Sequence, residues 1–461
     1  MAERKQIAII GGGITGLTAA YYMQKQNVNA DVTLFEASNQ LGGKISTVER
    51  DGFTIERGPD SFLERKKTAK ELVHDLGLGN HLIRSATGKA FILSQDQLHP
   101  MPAGAVMGVP TDLKPFVRSA LFTTSGKLNA LKDFVTSRTD VDGDISVGHF
   151  FRRRLGDQVV DRLIHPLISG IYAGNIDDLS LKATFPHFLQ MENKYGSLIR
   201  GLQKTTPKQQ TSGNKQGMFL TLEGGLKTLV NGLTDALECD MHTGTQVEQV
   251  SKQDGRYVLD VAGWDEPFEA DYVIATTPHQ VTAQMFSDYA FMRDFQQTKS
   301  TSVANVAMAF DEDSVKNLPD GTGFVVSRKE GYRITACTWT HKKWPHTTPD
   351  GSVLLRAYVG KPGDEDVLDL SDDEIADLVI GDLKKIMTVE GEPKFYVVTR
   401  WYDAMPQYTV GHLDRVEALE KQLEAELPGV YLIGNAYRGV GLPDCMDQAI
   451  RTVKTIESLE S

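Results

Sequence analysis

The stretch Gln6 to Ala37, QIAIIGGGITGLTAAYYMQKQNVNADVTLFEA, constrains the fold more than any other part of the chain. An isoleucine-rich run breaks into glycines at Gly11, Gly13 and Gly16, an amphipathic helix follows, and a second apolar run ends in Glu36. This is the pattern of a βαβ unit. Gly11 suits the tight turn, Gly13 lets the backbone approach a pyrophosphate, and Gly16 lets helix and strand pack closely. The N-terminus of the helix then turns free N–H groups and the positive end of its dipole toward phosphate charge. Glu36 lies twenty residues beyond Gly16, where a carboxylate can accept hydrogen bonds from ribose hydroxyls. The unit predicts an adenine dinucleotide, and NAD and FAD both satisfy it.

With 461 residues the chain exceeds one ordinary core, so two or three domains are expected. The net charge of -12 argues against a nucleic-acid surface. Nowhere do uninterrupted apolar residues reach the length of a membrane span. MAERKQ runs directly into the first strand, which leaves no room for a targeting peptide and predicts a cytoplasmic protein. Cys239, Cys337 and Cys445 are odd in number and far apart, so reduced, buried thiols are expected. The histidines lack metal-ligand spacing, and no metal site is predicted.

After Glu36, Gly42 and Gly43 permit another close approach to the cofactor, and Lys44 can meet a phosphate or ribose. Gly58, Pro59, Asp60 and Ser61 form a turn whose N–H groups can face a ligand. From Ala90 to Gly201 the pattern reads mostly helical. Within it, His99 to Pro110 reads as a loop packed on its own domain, with a membrane-touching or cleft-covering loop as the alternative. The run Arg152, Arg153 and Arg154 sits on a helix and reads as a solvated face. Residues Gln203 to Lys215 are polar, rich in turn formers and read as a linker. Beyond them come a strand and helix, then Val273 to Ala275, which is expected to rejoin the nucleotide sheet. VANVAMAF, GFVVSRK, ITACTWTHKKW, VLLRAYVG and KFYVVTRW have strand length and predict one large antiparallel sheet. DDEIADLVIGDLKKIM reads as a capped amphipathic helix beside it.

The C-terminus is the second informative stretch. The strand Val430 to Gly434 leads to Gly439 and Gly441, and Pro443 and Asp444 then open a helix. A second helix N-terminus is thereby offered to a ligand. Placed beneath an isoalloxazine, its positive end would favour the reduced, negatively charged ring. No second GxGxxG followed by a strand ending in an acid is present, so a nicotinamide site has no support and an oxidase is favoured.

Taken together, these features resemble the flavin amine oxidase and protoporphyrinogen oxidase superfamily, and within it the bacterial porphyrinogen oxidases of Gram-positive type. IERGPDSFLERKK, HPMPAGAVMGVPT, FFRRRLGD, PLISGIYAG, TSVANVAMAF, ITACTWTHKKWPH, LLRAYVGK, TRWYDAMPQY and GVGLPDC carry the resemblance, which spans essentially the whole chain. It implies an α/β and α+β protein in three parts. A Rossmann-like FAD-binding domain of the p-hydroxybenzoate hydroxylase type takes residues 1–89, 216–284 and 412–461. A helical insertion domain, membrane-touching in relatives, takes 90–215, and an antiparallel-sheet substrate domain takes 285–411. The resemblance also implies FAD as cofactor, coproporphyrinogen III as substrate with O2 as acceptor and H2O2 released, peripheral membrane contact, and a transient contact with a ferrochelatase. The alternatives are protoporphyrinogen IX as substrate, an amine oxidase or desaturase on the same scaffold, and a redox sensor that keeps FAD as structure.

By the same motifs Gly11, Gly12, Gly13, Ile14, Thr15, Gly16, Glu36, Ala37, Lys44, Gly58, Pro59, Asp60, Ser61, Val247, Trp401, Val440, Gly441 and Leu442 are implied to contact FAD. From sequence alone Val247 reads as a core strand residue. The four propionates of the substrate call for cations at the rim of its cleft. Lys66 is the first candidate, followed by Arg65, Lys67, Lys342, Lys343 and Arg152. Ile171 and Tyr172 of SGIYAG are expected to line the pocket. Tyr358 is the expected proton acceptor, with Arg356 on the same strand face at spacing two and able to depress its pKa if the side chains meet.

Overall fold

The computed structural model describes residues 4–139, 143–206, 217–327 and 330–460. Its N-terminal unit is the expected one: β1 (Lys5–Ile10), α1 (Ile14–Lys25) and β2 (Ala30–Glu36). These strands belong to a five-stranded parallel sheet in the order Asp240–Thr243, β2, β1, Tyr272–Ala275, Val430–Leu432. Tyr272–Ala275 therefore rejoins the first sheet as the sequence predicts. Side chains alternate across β1, so Ile7 and Ile9 join a core shared with α1 and the C-terminal helix Leu442–Glu460. Ala8 and Ile10 enter the opposite core with Val250, Leu259, Phe286 and Leu423. Burial on both faces explains the unbroken apolar run.

A second sheet has seven strands in the order Phe395–Pro406, Ser300–Asp311, Ser352–Val359, Ile334–Trp339, Gly323–Val326, Phe91–Ser94, Gln97–Pro100. Its pairings are antiparallel except between Gly323–Val326 and Phe91–Ser94. The last two strands come from the stretch read as mostly helical. Phe91–Ser94 was hidden because its partner Gly323–Val326 lies more than 200 residues away, and Gln97–Pro100 joins the sheet only by pairing with Phe91–Ser94. Along Ser352–Val359, Leu355, Ala357 and Val359 pack into a core with Ile375, Val379 and Leu383 of the helix Asp372–Ile386. That helix begins with a capping box between Ser371 and Glu374. On the other face of the strand, Leu354 packs with Phe53 and Ile55, and Arg356 reaches the backbone of Glu56 and Gly58.

The third core is helical and gathers Phe150, Phe151, Leu155, Leu163, Ile168 and Phe188. One expectation fails here. Arg154 is fully buried, because it shares the inner face of Val147–Leu155 with Phe150, Phe151 and Leu155. Asp133 at 2.9 Å and Glu192, both also fully buried, balance its charge. In the segment read as a loop, His99 to Pro110, His99 and Pro100 end the strand Gln97–Pro100 of the second sheet, while Val109 is buried and Met101, Val106 and Met107 pack on this helical core. Of the expected linker, Gln203 to Thr205 close the helix Leu198–Thr205, and residues 207–215 lie outside the described residues. Among the described residues no helix is long and apolar enough to cross a membrane. Cys337 and Cys445 are buried and Cys239 is partly exposed, all three as free thiols.

Candidate active site

The glycine turn after β1 has the geometry its spacing implies. Gly11 sits at φ +107, and a Cβ on Gly16 would lie 2.0 Å from the Gly11 carbonyl oxygen, so helix and turn touch backbone to backbone. No side chain caps α1 at Gly13, and its first turn carries no acid. Buried N–H groups around Ile14 and Thr15 are thus left for an external acceptor, which suits a diphosphate. Glu36 is pre-set at the end of β2: its carboxylate accepts the Gly12 N–H at 2.7 Å and the Ser38 N–H at 2.8 Å. Ala37 beside it is exposed. Gly42 and Gly43 approach the protein's own turn first. The Gly42 N–H donates to Gly12 O at 2.8 Å, and a Cβ on Gly43 would lie 3.2 Å from Gly13 Cα. Val247 is a buried strand residue in the core that holds Phe35, as the plain reading of its strand expects.

The turn Gly58 to Ser61 is clamped from the second sheet. Asn305 Nδ2 and Trp401 Nε1 donate to Arg57 O at 2.5 and 2.7 Å, while Arg356 donates to Glu56 O at 3.3 Å and Gly58 O at 3.1 Å. A Cβ on Gly58 would fall 1.9 Å from Lys44 O, so this position admits no side chain without moving the turn. Pro59 is half-buried. Asp60 bonds inward: Lys343 Nζ donates to it at 2.8 Å, Trp344 Nε1 at 3.2 Å and Ser61 Oγ at 2.6 Å. Although burial opposes ionisation, the Lys343 and Arg356 cations hold the Asp60 carboxyl well below the usual carboxylate range. The carboxylate of Asp60 and the ammonium of Lys343 are therefore spent on each other. Beside them, Glu56, Thr340, Trp344, His346 and Arg356 line a small pocket. Burial pushes the Glu56 carboxyl up to about 7, although it accepts the Leu226 N–H at 2.6 Å and the Thr47 hydroxyl at 2.8 Å. Nothing in the sequence around Glu56 signals this burial.

At the C-terminal end, Gly439 and Gly441 make room for Asp444. A Cβ on Gly439 would lie 2.5 Å from Asp444 Cβ, and one on Gly441 2.8 Å from Asp444 Oδ2. Asp444 in turn pairs with Lys66, so the first candidate for a rim cation is tied to the start of the C-terminal helix. Val440 packs on the helical core and Leu442 on the core of the parallel sheet. Tyr408 Oη accepts the Gly439 N–H at 2.8 Å and donates to Asn435 O at 2.7 Å, which fixes the approach to the helix. Ile171 and Tyr172 part company, since neighbours on a helix point about 100° apart. Ile171 is exposed, whereas Tyr172 is buried against Phe185 and Tyr408.

Arg356 and Tyr358 do meet: Arg356 Nε donates to Tyr358 Oη at 2.8 Å. The expected depression of the tyrosine does not follow. Desolvation outweighs the guanidinium and raises the phenol above its ordinary value. Tyr358 is therefore a protonated hydrogen-bonding group at neutral pH. Arg356, with Nε on Tyr358 and both terminal nitrogens on backbone carbonyls, holds the Gly58 turn and the phenol in place. Lys342 donates to Leu318 O and Pro319 O, and Arg152 pairs with Asp157, Asp161 and Asp177. Arg65 and Lys67 are exposed near the start of the helix Lys67–Asp75.

The model of the flavin containing amine oxidoreductase family matches residues 14–456. The chain is 51% identical over 453 residues to the coproporphyrinogen III oxidase of Bacillus subtilis (strain 168), covering 96% of each chain. It is 43% identical over 455 residues to the coproporphyrinogen III oxidase of Staphylococcus aureus (strain NCTC 8325 / PS 47), covering 96% of this chain and 97% of that one. A crystal structure from Exiguobacterium sp. 255-15 superposes with a TM-score of 0.89 at 42% identity, over 99% of both chains. The matched region contains the uncapped helix after β1, the clamped Gly58 turn and the glycines that seat Asp444; the chain belongs to the flavin-containing amine oxidoreductase family.

Proposed function

We propose that the protein oxidises coproporphyrinogen III to coproporphyrin III with FAD and O2, releasing H2O2. The observation that carries this reading is the likeness to two relatives named for that activity, at 51% and 43% identity over 96% of this chain. The reading includes peripheral contact with a membrane and a transient contact with a ferrochelatase. It also divides the chain into FAD-binding (1–89, 216–284, 412–461), helical (90–215) and substrate (285–411) domains, with the strands Phe91–Ser94 and Gln97–Pro100 of the helical stretch completing the substrate domain's sheet.

The residues fit the cofactor. Ile14 and Thr15 at the uncapped start of α1 would take the diphosphate, Glu36 the ribose, and Val440 to Leu442 the ring. Bound there, FAD supplies a two-electron acceptor that oxygen re-oxidises. Aromatising a porphyrinogen removes six electrons and six hydrogens, as three hydride equivalents and three protons, four of the hydrogens from the meso carbons and two from the pyrrole nitrogens, and three O2 become three H2O2. The chain's own contribution is binding, orientation and proton control. Lys66 would share its ammonium between Asp444 and a substrate propionate, and the exposed Ile171 would cover one edge of the macrocycle. Tyr358 Oη, fixed by Arg356 and protonated at neutral pH, would hydrogen-bond the pyrrole nitrogens as their protons leave to water.

Steady-state oxidation of coproporphyrinogen III, protoporphyrinogen IX and a primary amine tests the reading. The tetrapropionate should give the highest kcat/KM. A higher value for protoporphyrinogen IX or for the amine would transfer the function to the corresponding alternative.

A further inference from the structure

The cations around the candidate site differ in how far water reaches them. The side chains of Lys343 and Asp60 are 14% and 12% exposed, Arg356 is buried beside Glu56 and Asp60, and Lys44 Nζ donates to Ala404 O at 2.5 Å. Those of Lys66 and Asp444 are 36% and 26% exposed. A solvated ion pair binds its partners weakly, so of this set the pair of Lys66 with Asp444 is the one a ligand can open. Opening it would not detach the elements that carry it. Asp444 and Asp447 lie three apart on one face of the C-terminal helix, and Thr68 Oγ1 donates to Asp447 Oδ1 at 2.5 Å. Ala69, Leu72 and Val73 of the helix Lys67–Asp75 also share a core with Met446, Ala449 and Val453. Lys66 lies just before that helix, and its ammonium on a flexible four-carbon stem is free to change partner. Among the described residues the Asp444 carboxylate has its ion pair with Lys66 alone. Tyr172, from the expected pocket wall, lies close enough that the Asp444 charge adds to the burial that raises its phenol.

Oxidation of a porphyrinogen creates a need for such a carboxylate. When a meso C–H bond breaks and its electron pair leaves with the hydrogen as hydride, the macrocycle keeps one positive charge, spread over the two pyrroles that flank the carbon. Their N–H groups become stronger donors. A carboxylate that accepts them stabilises the charge as it develops, until a proton leaves the macrocycle to water and cancels it. A carboxylate still neutralised by an ammonium does this poorly.

We propose that Asp444 is a catalytic residue of this oxidation: Lys66 exchanges Asp444 for a propionate of the substrate, and the carboxylate so released accepts the pyrrole N–H groups that carry the charge left by hydride loss. This role rests on the porphyrinogen reading. Each partner of the pair gains a new contact on the same ligand, so binding of the propionate also prepares the site for the chemistry.

The test is anaerobic stopped-flow reduction of the holoenzyme's flavin by coproporphyrinogen III in Asp444→Asn and Lys66→Met. The flavin midpoint potential and the binding of coproporphyrin III, followed by its fluorescence, are measured alongside. Asp444→Asn keeps the shape of the side chain and should retain FAD while its limiting rate of flavin reduction falls about a hundredfold. Loss of a negative charge makes a nearby flavin easier to reduce, so the midpoint potential should stay level or rise. Lys66→Met should weaken coproporphyrin III about tenfold, and its loss should appear in binding rather than in the limiting rate, because Asp444 is then uncovered from the start. A wild-type limiting rate in Asp444→Asn, or a midpoint potential lowered enough to account for the slower reduction, would overturn the proposal. Unchanged binding in Lys66→Met would overturn it whether or not Asp444→Asn holds FAD. A wild-type flavin that coproporphyrinogen III does not bleach would overturn the porphyrinogen reading itself; a bleached wild type with an equally fast Asp444→Asn overturns the role of Asp444 alone.

Discussion

At the scale of single residues, the pairing of Arg356 with Tyr358 shows what spacing in a strand can and cannot reveal. Alternation placed the two side chains on one face, and they do touch at 2.8 Å. The direction of the pKa change depended on burial, which alternation does not carry, and desolvation raised the phenol. Tyr358→Phe should retain FAD and lower kcat by about a hundredfold. Because the wild-type phenol stays protonated through the neutral range, the pH–rate profile below pH 10 should keep its shape in the variant. An unchanged kcat would remove Tyr358 from the reaction. Asp60 and Lys343 teach the same lesson. Each was legible as a charged residue near a motif, but their mutual contact joins positions 283 apart, and no local pattern marks it.

At the scale of elements, β1, α1 and β2 were legible because each local choice agrees: an apolar run, glycines where backbone meets backbone, and an acid at the end of the second strand. Phe91–Ser94 was not legible, since a short strand takes its identity from a distant partner, and Gln97–Pro100 reaches the sheet only through Phe91–Ser94. The arginine run misled for a related reason. A charge on a helix is usually solvated, yet the face that carries Arg154 also carries Phe150 and Phe151, and two buried acids wait beyond it. Replacing Arg154 by Met would leave the buried Asp133 without its cation and Glu192 with only Arg153, at 3.6 Å. The expected cost is about 3 kcal/mol, seen as a lower Tm in calorimetry. A Tm equal to the wild type would mean that the buried network contributes little to the helical core.

At the scale of the whole molecule, the two ends of the chain meet. The C-terminal helix packs in the same core as α1, and Lys66 near the start of the helix Lys67–Asp75 is tied to Asp444 at the start of that helix. Two glycine signatures over four hundred residues apart thus open helices that share one core, and the second sheet holds the Gly58 turn through Arg356, Asn305 and Trp401. The sequence showed the signatures; the clamp on the Gly58 turn arises only from long-range packing. If the protein couples a flavin to a porphyrinogen, electrons must pass to the flavin without oxygen. Coproporphyrinogen III added to the holoenzyme under argon should bleach the flavin absorbance, and admitting air should restore it while porphyrin fluorescence appears and H2O2 accumulates. A flavin that keeps its colour under argon with this substrate would contradict the proposed reaction.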